Sequence, residues 1–169
     1  MRVLIAVASR HGGTREIGSL VASEQRTRGH DADVLDPASV VSIDPYDAVV
    51  IGSAVYSAHW MPAAREFAQR FEADLLARPV WLFSSGLATA PAAAANSPAE
   101  TLALIKAIGA TNHRAFGGQL DRGVLNFAER AVIAAARGKE GDHRDLAAVV
   151  EWAGEIADRL DTDAGTATA

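Results

Sequence analysis

The chain predicts an α/β fold in three layers: a five-stranded parallel sheet with helices on both faces. Two observations carry this expectation. Short apolar runs alternate with stretches of helical period along the whole chain, and such alternation builds parallel strands joined by crossover helices. The runs are apolar at consecutive positions, as strands covered on both faces are. A length of 169 residues suits one domain, and 49% apolar residues suffice for a sizeable core.

The elements follow in order. "VLIAVA" (3–8) is the first strand. A helix over 14–28 places Ile17, Leu20 and Val21 on one face and stops at Gly29. "ADVLD" (32–36) and "DAVVIGS" (47–53) are the second and third strands. Pro62 fits a first helical position, and Ala64, Phe67, Phe71 and Leu75 form the stripe that follows. "PVWLFSS" (79–85) is the fourth strand. Ser97, Pro98 and Glu100 have the spacing of a capping box, and Leu102, Ile105 and Ile108 continue that helix. "AFGGQL" (115–120) reads as the fifth strand. Helical stretches near 123–137 and from Asp142 through Leu146, Val149, Ala153, Ile156 and Leu160 close the pattern. The alanine-rich stretch 88–100 reads as a long loop. One domain over 1–160 is expected, followed by a disordered tail at 161–169, which lacks an apolar period.

Composition narrows the function. There is no cysteine, which excludes disulfides, thiolate metal sites and a cysteine nucleophile. A net charge of −5, with both signs interspersed, argues against nucleic-acid binding. The N-terminal apolar run is too short to span a membrane and lacks the anatomy of a signal peptide, so a cytoplasmic protein is the expectation.

The turn after the first strand is the candidate site. In parallel sheets, ligands bind outside the carboxyl ends of the strands. A helix N-terminus there offers unpaired N–H groups and a positive dipole end. Small residues let a phosphate approach them closely; a capped helix after a tight turn is the plainer alternative. Ser9-Arg10-His11-Gly12-Gly13-Thr14 fits neither G-x-x-x-x-G-K-[ST] nor G-x-G-x-x-G, but it does match [ST]-x-x-G-x-T.

That motif resembles the phosphate loop of the flavodoxin family. The resemblance extends to "IGSAVYSAHWMPAAREF" (51–67) and "FSSGLATA" (83–90), the positions of that family's ring-binding loops. It implies strand order 2-1-3-4-5. Within the family the chain resembles the menaquinone-dependent protoporphyrinogen oxidases, through "SRHGGTREI" (9–17), "YDAVVIGSAVYSAHW" (46–60) and "HRDLAAVVEWAGEIADRL" (143–160).

The resemblance implies non-covalent FMN. Ser9, Arg10, His11, Gly12, Gly13 and Thr14 would surround its phosphate. Ser53, Ala54, Val55 and Tyr56 would flank the ring on one side, and Ser84, Ser85, Gly86 and Leu87 on the other. His59 is the candidate acid–base group near the ring, against a plain surface histidine. The expected activity is an FMN-dependent oxidoreductase acting on a small redox substrate, with a quinone acceptor. An electron carrier, or a module binding FMN or a deazaflavin without its own substrate, is the alternative. Tyr56 and Trp60 are the aromatics of the first ring loop; the second, from Ser84 to Pro91, has none. One ring face is therefore expected to be open, which suits direct transfer. Val55, Tyr56 and Ser57 stand where the oxidase branch often carries arginine and tyrosine. Residues 121–143 keep Arg122, Arg130, Arg137 and Lys139. Their apolar stripe at Val124, Ala128, Ala131, Val132 and Ala135 is expected to pack on the core, with weak membrane-surface contact through 123–137 as the competing reading.

Overall fold

The computed structural model describes residues 1–87, 94, 96–135 and 140–167. In chain order the elements begin with β1 (Arg2–Ala8), α1 (Gly13–Thr27), β2 (Asp31–Leu35), β3 (Ala48–Tyr56) and β4 (His59–Trp60). Next come α2 (Pro62–Arg70), α3 (Glu72–Leu76), β5 (Val80–Gly86), α4 (Glu100–Ile108) and β6 (Asn112–Gly117). The chain continues with β7 (Gln119–Leu120), α5 (Phe127–Ala135), β8 (Gly141–Asp142) and α6 (Leu146–Ala167). The parallel sheet has the order β2-β1-β3-β5-β6, which is the expected 2-1-3-4-5. Two small additions accompany it: β4 folds back antiparallel on β3, and β7 pairs with β8.

The consecutive apolar runs are explained by two cores, one on each face of the sheet. Side chains alternate along a strand. Leu4, Ala6 and Ala8 of β1 join Val49, Ile51 and Leu82 against Phe67 and Leu75. Val3, Ile5 and Val7 join Val50, Trp81 and Phe83 against Ile17, Val21 and Trp152. Phe83, Phe116 and Trp152 meet in edge-type contacts at centroid distances of 5.6–6.2 Å, a favoured aromatic geometry. Gly52 is required by this packing: a Cβ there would lie 2.1 Å from Phe83 Cζ. On the second face Gln25 Nε2 donates to Ala153 O at 2.7 Å and ties α1 to α6.

Several expectations are corrected. The fifth strand runs over 112–117 and not 115–120; as the sheet edge it carries the exposed or half-exposed Asn112, His113 and Arg114, which hide it from an apolar scan. The capping box does not form. Ser97 Oγ bonds His113 Nδ1 at 3.2 Å, and Glu100 reaches across to the Trp60 N–H, so tertiary partners displace the local ones. Asp142 lies in β8, and α6 is started by Asp145, whose Oδ1 accepts Ala148 N–H at 3.0 Å. Helix α6 continues through Ala167, so 161–167 are helical, with Thr162 Oγ1 bonding Asp158 O and an Arg159–Asp163 pair along the last turns. The helix expected over 123–137 is a short 3-10 turn at Arg122–Val124 followed by α5. Arg137 and Lys139, with 88–93 and 95 of the alanine-rich loop, fall outside the described residues.

Candidate functional site

The carboxyl ends of β1, β3 and β5 lie side by side, with Ala8 opposite Ser53 and Ala54 opposite Ser85. Three turns therefore open on one edge of the sheet. A cleft of about 300 Å³ forms there, at the lower end of the size range for small-molecule sites.

The turn after β1 makes one end of the cleft. Ser9 Oγ accepts the Gly12 N–H at 3.1 Å, which closes the loop. Gly12 has φ of +91°, where a side chain would be strained. Helix α1 then begins at Gly13 without a side-chain cap. Its first N–H groups lack intrahelical acceptors, and the helix dipole is positive there. Ser9, Arg10, His11, Gly13 and Thr14 line the cleft; Gly12 shapes the turn behind them.

The β3 and β5 ends form two flanks. Ala54, Val55, Tyr56 and Ser57 line one, and Ser85, Gly86 and Leu87 the other. Burial pushes the Tyr56 phenol above its ordinary pKa, and Arg10 opposes this in part. Ser57 and Ala58 take φ of +48° and +62° in the hairpin turn to β4.

Ser53 and Ser84 do not line the cleft. Both are fully buried on the sheet face that holds Trp60. Ser53 Oγ donates to Ala54 O and accepts Met61 N–H at 2.9 Å. Ser84 Oγ accepts Trp60 Nε1–H at 2.7 Å and bonds His113 Nε2 at 2.7 Å. Trp60, expected as a ring-loop aromatic, is a core residue for the same reason. Burial lowers the His113 pKa, favouring its neutral form.

His59, the candidate acid–base group, stands outside the cleft. Its side chain is 66% exposed, and its Nδ1 lies 3.4 Å from Glu100 Oε2. Turning back at Ser57 and Ala58 to pair with β3 carries it away.

The remaining wall comes from 118–133. The apolar stripe does not enter the core: no residue of α5 is buried. Val124, Ala128 and Val132 line the cleft instead, with Leu125 and Ile133 beside them. Phe127 is 90% exposed. Glu129 bonds Arg10 Nε at 2.9 Å and lies 3.2 Å from His11 Nε2. Backbone hydrogen bonding from Asn126, then His11 and Arg10, hold its pKa below the usual carboxylate range. Sequence reasoning missed this wall; the Asn126-x-x-Glu129 capping spacing was the available signal.

An ion-pair hub fastens β8, the partner of β7, to the first turn. The Arg144 guanidinium donates to Gly13 O at 3.1 Å, Glu16 Oε2 at 2.6 Å and both Asp142 oxygens. Asp142 is pulled down to about 2, chiefly by its hydrogen bond from Arg144. Among the described residues no cluster of three or more His, Asp or Glu could hold a metal ion, and no helix is long and apolar enough to cross a membrane.

Comparison with known proteins agrees with this geometry. A flavodoxin from Bacillus cereus superposes with a TM-score of 0.65 at 13% identity, over 94% of this chain and 98% of its own. A variant of a Pseudomonas aeruginosa flavodoxin gives 0.66 at 14% identity, over 95% and 99%. At such identities the likeness concerns the fold. Protoporphyrinogen IX dehydrogenase [quinone] of Escherichia coli K12 is 37% identical over 92 residues, covering 52% of this chain and 49% of that protein. The chain thus matches about half the length of this curated relative. A family model described as a flavodoxin domain matches residues 4–147, and with the strand order and the three converging turns already in place, the chain belongs to the flavodoxin domain family.

Proposed function

We propose that the chain binds FMN non-covalently in the cleft and acts as an FMN-dependent oxidoreductase on a small redox substrate, with a quinone as acceptor. One observation carries the reading: an uncapped helix N-terminus, with Arg10 and His11 beside it, opens into a cleft flanked by the ends of β3 and β5. The residues present fit the group. The cationic end suits a phosphate dianion, and the flanks at Tyr56 and Leu87 suit a flat, largely apolar ring. Bound FMN would supply hydride acceptance and electron delivery.

The chain's own residues bind and orient. Ser9 through Thr14 would hold the phosphate. Ala54, Val55 and Tyr56 would flank the ring on one side. Ser85, Gly86 and Leu87 would flank it on the other, their backbone amides facing charge that builds at the ring edge. Tyr56, the aromatic among the cleft-lining residues, would cover one face and keep its phenolic proton at neutral pH. Val124, Ala128 and Val132 would exclude water from the opposite wall. His59 does not line the cleft and is given no part in this proposal.

The 37% identity to a quinone-linked protoporphyrinogen dehydrogenase supports a porphyrinogen as the substrate to assay first. Titration of the purified protein with FMN, followed by flavin absorbance and fluorescence, tests the cofactor; stoichiometric binding is expected. Steady-state oxidation of protoporphyrinogen with a quinone tests the activity. An electron carrier would bind FMN and show no such turnover.

A further inference from the structure

Helix α5 walls the cleft with no buried side chain of its own. Apolar burial therefore does little to hold it, and its polar contacts carry more of the load. Asn126 Oδ1 accepts Glu129 N–H at 2.9 Å, and Glu129 Oε2 accepts Asn126 N–H at 2.9 Å. This is a reciprocal cap of the first turn. The other oxygen, Oε1, reaches off the helix to Arg10 Nε at 2.9 Å and to within 3.2 Å of His11 Nε2. One carboxylate thus caps α5 and covers both Arg10 and His11 of the β1–α1 turn. The Glu129 side chain is 15% exposed and that of Arg10 is 53% exposed, so the pair stays within reach of screening by salt.

We propose that Glu129 is an internal competitor for the anion site: its carboxylate holds Arg10 and His11 while the turn is empty, and an arriving phosphate monoester displaces it and unfastens α5. The proposal rests on the reading of this turn as a phosphate site. Displacement makes the fastening of α5 depend on the charge of the ligand. A flavin without phosphate gains nothing by displacing the carboxylate and leaves α5 fastened, whereas a dianion can take over both hydrogen-bonding partners. The exchange is one anion for another on the same donors, so no proton or electron transfer is required.

Glu129→Gln removes the charge and keeps an amide oxygen for the Asn126 N–H, so the helix cap survives. Asn126→Ala removes the side-chain half of the cap and keeps the charge. The expected result is that E129Q binds FMN about five- to tenfold more tightly at low ionic strength, with riboflavin affinity unchanged and the FMN gain shrinking in high salt. N126A should show no such gain. Amide hydrogen exchange over 126–135 should rise when inorganic phosphate is added to the wild-type chain and stay flat in E129Q. Equal or weaker FMN binding by E129Q would overturn the proposal and leave the cofactor reading standing. If FMN binds neither chain while phosphate still loosens 126–135 in the wild type alone, the competition holds and the cofactor reading falls. If phosphate also changes nothing, both fall.

Discussion

Arg144→Met should destabilise the protein by about 2.5 kcal/mol at neutral pH, and part of that loss should vanish in acid. The Arg144 side chain is 5% exposed and donates to Gly13 O, Glu16 and Asp142. Asp142 falls from 3.8 to about 2 on folding. At face value that shift corresponds to about 2.5 kcal/mol. The Asp142 side chain is 43% exposed, however, so solvent screening reduces its share to about 1 kcal/mol. The bond to Gly13 O adds about 1 kcal/mol. Glu16, 65% exposed, adds about 0.5 kcal/mol. Methionine keeps most of the aliphatic packing, so the difference reports on the charged head. Because the folded pKa of Asp142 is depressed, its contribution is complete above 3.8 and is lost as pH falls toward about 2. Urea denaturation of both proteins from pH 7 down to pH 2.5 measures this. The gap should narrow by somewhat under 1 kcal/mol across that range. A variant as stable as the parent at pH 7, or a gap that widens in acid, would refute the assignment of Arg144 as the fastening of β8 to α1.

Three further outcomes are expected. Ala58→Gly should raise the thermal midpoint through about 1 kcal/mol of relieved left-handed strain, since Ala58 has φ of +62°; an unchanged midpoint would mean the turn is not strained. Trp60→Phe should cost about 1–2 kcal/mol in chemical denaturation by removing the donor to buried Ser84 Oγ, and adding Ser84→Ala should cost less than the two single losses together. The chain has two tyrosines, Tyr46 and Tyr56. Burial raises both phenol pKa values, so a spectrophotometric titration should show no tyrosine ionising below the ordinary range near ~10.

The strands buried on both faces were legible because nothing else explains runs such as "VLIAVA" and "DAVVIGS". The turn from Ser9 to Thr14 was legible because its geometry is local: a glycine at positive φ, a serine closing the loop and a helix start. What stayed hidden depends on residues distant in sequence. Glu100 has the spacing of a cap and spends its carboxylate on Trp60 N–H, 40 residues back. Asp142 resembles a helix start until Arg144 claims it. Ser53 and Ser84 sit in the expected loops, yet the alternation of side chains along the strand turns both to the sheet face that holds Trp60. The wall from Val124 to Ile133 could not be assigned to the cleft, because an apolar stripe looks alike whether it meets a core or a cavity.

The hydroxyls of Ser53 and Ser84 separate the pedestal of the cleft from its contact surface. Each locks the backbone or ring of a neighbouring segment from below, while Tyr56, Leu87 and Val132 meet whatever enters from above. Redesign for a bulkier or more polar guest can therefore proceed at those upper positions one at a time. The foundation, once disturbed at either serine, would loosen the same Trp60–Met61 segment.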